Sequence, residues 1–163
     1  MPASPDARTA DPAPVDDPQA LRAWIGRSER MEDTLVPRQA RLMQATLDIA
    51  PDLTEGDPLP PFWHYLYFNA EVPASRLKAD GHEKLGRFLP PVPYPQRMWA
   101  GGRVEIARPP RIGERIVKTS TIADVALKEG RSGPLCFVTV NHAFHDSAGA
   151  LCLTERQNIV YKP

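Results

Sequence analysis

The second half of the chain alternates between apolar and polar positions with a period of two residues. Four segments show this pattern, and stretches rich in Gly, Pro, Asp and Ser, the residues that turns require, separate them: 99–108, 114–127, 134–145 and 151–162. Consecutive strands joined by short turns form an antiparallel meander. The pattern therefore predicts four antiparallel strands, and 27–36 is a weaker candidate for a further strand.

Two of these strands have clearly different faces. One face of the third strand is almost entirely apolar and contains Cys136, Val138, Val140, His142 and Phe144. One face of the second strand is small and β-branched, as expected where a helix lies on a curved sheet, and contains Val117, Thr119, Thr121, Ala123, Val125 and Leu127. Both faces are predicted to point toward the core.

Two helices are predicted before the strands. Asp17 and Pro18 have the residue types of an N-cap and a first helical position, so a short helix follows them and stops at Gly26. In 37–49 the apolar residues are spread widely around the helix, which is typical of burial on most of its surface. The predicted fold class is therefore α+β, with one long buried helix wrapped by a curved antiparallel sheet.

The length of 163 residues allows one domain with a real core. Residues 1–17 are rich in Pro, Ala and Asp and have almost no large apolar group, so we predict a disordered tail there and a single domain over 18–163.

Charge and cysteine content exclude several classes of function. Twenty basic side chains balance twenty acidic ones, so no overall field favours nucleic acid or an anionic membrane. No apolar run of about eighteen residues and no secretory signal are present, which predicts a cytoplasmic protein. Cys136 and Cys152 have the pattern of buried free thiols, and a metal site would need more ligands at tighter spacing.

Two proline-rich segments carry most of the unusual residues. The stretch 50–86 contains five prolines and the aromatic cluster FWHYLYF at 62–68, so it is predicted to be an extended or short-helical excursion. In 88–95 four prolines fix an extended backbone that can cross an open face of the sheet. Gly101 and Gly102 follow, and they suit either a bulge in a curved strand or a close contact between backbone and ligand.

Three segments carry a resemblance to a known family: FWHYLYF (62–68), LPPVPYPQRMWAGGR (89–103) and RPPRIGERI (108–116). With the order of elements, they resemble the MaoC-like hot-dog hydratases and dehydratases, and more narrowly the N-terminal module of the double hot-dog members. The similarity runs from about residue 27 to 163. It implies a hot-dog fold and the reversible addition of water to the double bond of a 2-enoyl thioester.

The resemblance also implies an acid–base pair, which these hydratases carry in a motif of the type Asp-x-Asn-Pro-x-His after the helix. This chain lacks that motif, and the nearest match is EGDPLPPFWH, with Asp57 and His64 as the candidate catalytic residues. His64 is either a catalytic group, part of a substrate pocket or a hydrogen-bonded core histidine. The sequence Gly56-Asp57-Pro58 is also typical of an ordinary turn.

The residues expected to bind substrate lie in the aromatic cluster and around the glycine pair: Trp63, Tyr65, Arg97, Met98, Trp99, Gly101 and Gly102. Arg97 can hold a phosphate of the thioester carrier while Met98 and Trp99 cover the acyl arm, or it can lie over Trp99 at the surface. No cofactor is expected beyond a coenzyme A thioester as substrate.

Hot-dog units pair through sheet edges and build tunnels between subunits, so the resemblance implies a homodimer, or a heterodimer with a second hot-dog subunit. The expected partner molecule is an acyl-CoA or acyl-carrier-protein thioester. Two functions stay open: a hydratase/dehydratase or a subunit of one, and a non-catalytic thioester-binding module that needs a partner chain for activity.

Overall fold

The structure is a computed structural model that describes residues 13–131 and 133–163. Its helices are α1 (Pro18–Arg22) and α2 (Pro37–Thr46), and its strands are β1 (Ser28–Thr34), β2 (Gln96–Ile106), β3 (Arg115–Gly130), β4 (Gly133–Asp146) and β5 (Leu151–Lys162). Two 3₁₀ turns, Trp63–Leu66 and Ala74–Arg76, lie in the long connection between α2 and β2. The four strands predicted from alternation and the weaker strand before them are confirmed, with ends shifted by a few residues.

The five strands form one sheet in the order β1-β3-β4-β5-β2, and every neighbouring pair is antiparallel. β4 is the central strand, while β1 and β2 are the edges. The predicted meander is confirmed for β3, β4 and β5, which short turns connect, but it was wrong for β2, because β2 pairs with β5 and not with β3.

One face of the sheet carries the core. In β4 the predicted apolar face is buried, from Cys136 to Phe144. In β3 the prediction was wrong for the first half: Ile116, Ser120 and Ile122 are buried there. A register shift between Ile122 and Asp124 turns the strand over, so that only from Val125 onward does the predicted face point to the core.

The proline segment covers part of this face, as predicted. Pro90, Pro91 and Val92 are buried, and Val92 belongs to a core cluster with Val138, Ile159 and Tyr161. Because prolines lack a backbone N–H, the segment lies on the sheet with few donors left to satisfy. A loop therefore does much of the covering that the sequence pattern assigns to a helix.

The helix α2 differs from its prediction. It is ten residues long and buries only Ala40 and Gln44. Leu42, Leu47 and Ile49 are about half exposed. The widely spread apolar positions therefore do not indicate a helix enclosed by its own sheet. The long connection after α2 packs on the core face of the sheet, and one side of α2 is left exposed.

The predicted tail and glycine bulge have different outcomes. Residues 1–12 of the tail lie outside the described residues, but the Val15 N–H donates to Pro91 O at 2.9 Å and Asp17 caps α1, so order begins before residue 18. The bulge is confirmed by a register shift between Trp99 and Gly101 against β5. Gly101 has a φ of 144°, which favours glycine.

Both cysteines are free and buried, as predicted. Burial raises the pKa of the Cys136 thiol to about 11. In the part of the chain that the structure describes, no helix is long and apolar enough to cross a membrane.

Candidate functional site

A row of polar side chains crosses the core face of the sheet. Ser120 on β3 lies opposite His142 on β4, and His142 lies opposite Glu155 on β5. All three residues are buried, with relative exposures of 3%, 7% and 5%. Their neighbours two residues along the strands are mainly apolar, including Val140, Phe144 and Leu153. An uninterrupted polar row in an apolar face costs stability unless its groups are paired, which makes it the first place to look for function.

The 3₁₀ turn Trp63–Leu66 lies over this row and brings His64 to it. The residues on either side of the turn, Phe62 and Phe68, have φ values of 68° and 60°, in the left-handed region that bulky residues avoid. The Phe68 N–H donates to Asp33 Oδ2 at 2.8 Å, which holds one end of the turn on β1. Two strained residues around one histidine are consistent with a functional constraint on that histidine.

Glu155 joins the row to the turn through two contacts. His64 Nε2 lies 3.3 Å from Glu155 Oε2, and the Tyr65 hydroxyl donates to Glu155 Oε1 at 2.7 Å. The side chains of His64 and Glu155 are each 5% exposed, whereas Tyr65 is 54% exposed. The His64 ring also packs edge-on against Phe144, with centroids 5.3 Å apart. The carboxylate is therefore held from two sides in an apolar setting.

The pKa values of the row follow from burial and from these contacts. Burial raises the pKa of Glu155, but hydrogen bonds from His64 and Tyr65 outweigh it, so the pKa lies below its ordinary value. Burial, helped by the nearby Lys118 ammonium, lowers the pKa of His142 to about 4. At neutral pH the row thus holds an ionised carboxylate beside a neutral imidazole, whose Nδ1 lies 2.9 Å from Ser120 Oγ.

A cavity of about 210 Å³ opens beside the row, between the core face of the sheet and the connection before β2. Ser120, His142 and Gln157 line it from the sheet, and Lys118 lies at its wall. His142 is therefore the histidine of the row with direct access to a ligand-sized space. His64 lies on the other side of Glu155 and does not line the cavity.

Asp57, the second catalytic candidate, is not brought to His64. Its carboxylate accepts hydrogen bonds from the Thr54 N–H at 2.8 Å and the Thr54 hydroxyl at 3.0 Å, and these lower its pKa. Its carbonyl accepts from the Ile112 N–H at 2.9 Å. Asp57 therefore belongs to a local turn, which is the second interpretation of its sequence. The carboxylate that contacts His64 is that of Glu155.

The candidate binding residues divide into two groups. Tyr65 contacts the polar row through Glu155, Trp63 packs against the apolar cluster that contains Phe144 and Leu153, and Arg97 lines the cavity. Met98 and Trp99 lie on the edge strand β2, where they are 46% and 69% exposed. The two glycines, Gly101 and Gly102, are also on β2, and a Cβ on Gly102 would lie 2.6 Å from Arg156 O. The close approach at Gly102 is thus to the neighbouring strand.

The sequence prediction missed Glu155, Ser120 and Lys118. A signal was available, because each is a polar residue on the buried face of its strand, as His142 is. Within residues 13–131 and 133–163, no group of three His, Cys, Asp or Glu side chains is placed to hold a metal ion. The carboxylate, imidazole and hydroxyl groups of the polar row offer acid–base and hydrogen-bonding chemistry.

Residues 62–163 match the family described as hydroxyacyl-thioester dehydratase type 2. This match contains the polar row, the turn above it and most of the sheet, and it spans more than half of the chain. The chain belongs to this family. The family assignment agrees with the resemblance drawn from the three sequence segments.

A curated relative supports the same assignment. The chain is 45% identical over 141 residues to mesaconyl-C(4)-CoA hydratase from Chloroflexus aurantiacus, which covers 86% of this chain and 50% of that protein. The chain thus spans about half the length of the curated relative that it matches.

Two solved structures share the architecture of this dehydratase-family chain. The ChsH1-ChsH2 complex from Mycobacterium tuberculosis matches with a TM-score of 0.63 and 12% identity, covering 88% of each chain. The C-terminally truncated HadBC (3R-hydroxyacyl-ACP dehydratase) complex from the same organism matches with a TM-score of 0.51 and 14% identity, covering 83% of this chain and 96% of that one. At such identities the similarity concerns the fold alone, and the predicted α+β hot-dog fold is confirmed.

Proposed function

We propose that this chain is a hot-dog subunit of an acyl-thioester hydratase/dehydratase. It adds water to the double bond of a 2-enoyl thioester and removes water from the 3-hydroxyacyl thioester in the reverse direction. One observation carries the proposal: in a chain of this family, a buried carboxylate stands between two histidines beside a ligand-sized cavity.

The chemistry needs one group that takes the proton from C2 and one that protonates the leaving hydroxyl at C3. His142 is neutral, lines the cavity and can exchange a proton with a bound acyl chain. Glu155 stabilises the positive charge that forms on either histidine ring, and it orients His64 through the 3.3 Å contact. We assign the acid–base role at the acyl chain to His142 and the orienting role to Glu155, while His64 contacts Glu155 from the side away from the cavity. No cofactor enters beyond the thioester itself.

The edge strand β2 is the proposed contact with a second subunit. Its outer side has no strand partner among the described residues, and it carries the exposed Met98 and Trp99. The unpaired backbone N–H and C=O groups of an edge strand are a template for pairing with another chain. We propose that a second hot-dog unit, either a second copy or a separate module, pairs there and completes the path for a coenzyme A or carrier-protein thioester. The twofold length of the curated relative supports this arrangement.

A second candidate function is a thioester-binding module without chemistry of its own. Two observations favour it: the motif Asp-x-Asn-Pro-x-His is absent from the sequence, and His64 and Glu155 are almost fully enclosed. In that case the catalytic groups belong to the partner subunit, and this chain shapes the acyl pocket.

One experiment separates the two candidates. Purified protein is mixed with crotonyl-CoA, and the loss of enoyl absorbance is followed alongside binding measured by calorimetry. Hydration that falls about a hundredfold or more in His142→Asn supports the subunit with its own chemistry. Binding without hydration by the wild type assigns the chain to the second candidate. Neither binding nor hydration contradicts both.

A further inference from the structure

The His142 ring lies between polar side chains of both neighbouring strands. On the β3 side, its Nδ1 is 2.9 Å from Ser120 Oγ. On the β5 side, Gln157 is hydrogen-bonded to the ring and lines the same cavity as Ser120 and His142. Because Nδ1 faces Ser120, Nε2 is the ring nitrogen left for Gln157 or for a bound ligand.

These two hydrogen bonds alone do not decide which nitrogen carries the proton of the ring. The ring is neutral at pH 7, since burial lowers its pKa to about 4. A serine hydroxyl and a glutamine amide can each donate or accept a hydrogen bond, so they satisfy either tautomer. The proton lies on Nδ1 if Ser120 accepts and on Nε2 if Ser120 donates, and only the second tautomer offers an N–H to a ligand.

The charges around the ring favour one tautomer. After burial, Lys118 and Glu155 have the largest effects on the pKa of His142. Lys118 lies two residues from Ser120 on the same face of β3, so the positive charge belongs to the side that Nδ1 faces. Glu155 lies opposite His142 on β5, on the other side of the ring. A cation favours a nearby lone pair and an anion favours a nearby N–H, so both charges favour a proton on Nε2.

Two further titratable groups near these strands do not reverse the balance. Glu29 lies opposite Ser120 on β1, but its carboxylate is 3.7 Å from the Arg87 guanidinium, which compensates its charge. His64 contacts Glu155 from the side away from the cavity. The pKa of Glu155 lies below its ordinary value, so this carboxylate keeps its negative charge at neutral pH.

We propose that Ser120 is the positioning residue of His142. Its hydroxyl donates to Nδ1, holds the orientation of the ring and, together with the two charges, keeps the proton on Nε2. The neutral ring then meets an oxygen of the bound thioester as a hydrogen-bond donor. Such a preformed donor is worth most where negative charge develops on that oxygen in the transition state. The inference rests on the proposed function and adds the donor atom and the residue that fixes it.

Nitrogen-15 NMR of the histidine side chains tests the position of the proton, since a ring nitrogen with a lone pair resonates far downfield of one that carries a proton. Spectra at pH 7 are compared for the wild type, Ser120→Ala and Ser120→Thr, and His142→Asn assigns the signals of His142. The wild type is expected to carry the proton on Nε2. In Ser120→Ala the Nδ1 resonance should move further downfield, because its lone pair loses a hydrogen bond, and Ser120→Thr should stay close to the wild type.

The rate of crotonyl-CoA hydration gives a second readout. Ser120→Ala should lower kcat about tenfold, the effect of one neutral hydrogen bond, and leave KM near its wild-type value, because the donor acts on charge that develops in the transition state. Ser120→Thr, which keeps the hydroxyl, should retain most of kcat. Thermal denaturation shows that each variant is folded.

Ser28→Ala is the matched control. It removes a serine hydroxyl that lies 2.8 Å from Thr121 Oγ1, at an exposed position on β1. Like Ser120→Ala, it deletes one hydrogen bond between side chains of neighbouring strands. It is expected to keep the wild-type spectrum of His142 and the wild-type kcat.

Three results would overturn the inference. A wild-type proton on Nδ1 would make Ser120 the acceptor and leave Nε2 without an N–H. An unchanged Nδ1 resonance and an unchanged kcat in Ser120→Ala would show that the hydroxyl does not position the ring. A raised KM with an unchanged kcat would place Ser120 in substrate binding instead. A failure of the proposed function is a different result, the absence of crotonyl-CoA hydration by the wild type, and the NMR spectra decide the position of the proton in that case as well.

Discussion

His142 and Glu155 are directly opposite each other on β4 and β5, and both are buried on the core face of the sheet. The neighbouring cross-strand pairs on that face are mainly apolar, such as Phe144 with Leu153. Replacing a buried ionic group by a well-packed apolar one is often neutral or stabilising, so fold stability alone gives little reason to keep this pair. We therefore interpret the pair as part of a functional site.

The low pKa of His142 predicts a specific dependence of stability on pH. The folded ring titrates near pH 4 and the unfolded ring near 6.5, so between these values the unfolded state binds more protons. The contribution of the His142 ring to the free energy of unfolding is fully present above pH 6.5. It falls by about 3 kcal/mol as the pH drops to 4, at about 1.4 kcal/mol per pKa unit. Below pH 4 this ring contributes no further loss.

Urea denaturation of the wild type and His142→Asn at pH 7, 5.5 and 4 checks this prediction. The variant should lose less stability than the wild type over that range, and the difference between the two curves isolates the His142 ring. His82→Asn, at a half-exposed histidine, should follow the wild type. Parallel curves for wild type and His142→Asn would show that the ring is not buried in its neutral form.

Tyr65 and Glu155 are expected to be energetically coupled. The Tyr65 hydroxyl donates a 2.7 Å hydrogen bond to a buried and ionised carboxylate, so the two residues do not contribute independently. A double-mutant cycle with Tyr65→Phe and Glu155→Gln should give a coupling of about 1–2 kcal/mol in the free energy of unfolding. A coupling near zero would mean that the half-exposed ring does not hold the carboxylate in solution.

Gly102 is predicted to be intolerant of a side chain. A Cβ there would lie 2.6 Å from Arg156 O, a backbone atom of the neighbouring strand that cannot move aside on its own. Gly102→Ala should cost about 2 kcal/mol or more in unfolding free energy, as in other overpacked sites. Ala100→Ser, at an exposed residue of the same strand, should stay within about 0.5 kcal/mol. Equal costs would argue against the close pairing of β2 with β5.

The proposed edge pairing predicts a dimer. Sedimentation should give the wild type about twice the 18.1 kDa mass of one chain, unless the pairing partner is a different module. Lysine at both Met98 and Trp99 should abolish the pairing, because charges on an edge strand disfavour edge-to-edge contact. Ile25→Lys, which changes an exposed apolar residue outside β2, should remain dimeric. A dimer that survives both lysines in β2 would place the interface elsewhere.

The strands could be predicted from the sequence because a half-buried strand records its faces in its alternation. This was sufficient for β4, where each second residue from Cys136 to Phe144 is buried. It failed in β3, because the register shift after Ile122 reverses the faces without a glycine or proline to mark it. It also overestimated the burial of α2, since a periodic pattern does not show which segment will cover a helix.

His64 could be selected from the sequence because it lies among aromatic residues, but its partner could not. Glu155 is 91 residues away along the chain, and only the folded sheet brings the two together. The resemblance of EGDPLPPFWH to the family's motif pointed to Asp57, whereas the carboxylate of Asp57 contacts Thr54 in a local turn. The polar residues on the buried strand faces were the better guide, because such positions are usually apolar unless a partner or a function requires otherwise.

The most direct test of the central claim is the rate of crotonyl-CoA hydration by the wild type, Glu155→Gln and Glu71→Gln, measured at equal concentration of folded protein. Glu71 is an exposed glutamate in the connection before β2, and its variant controls for the loss of one charge. The account predicts turnover by the wild type and Glu71→Gln, and a loss of about a hundredfold or more in Glu155→Gln. Unchanged turnover in Glu155→Gln would contradict the assignment of the polar row as the site of the reaction.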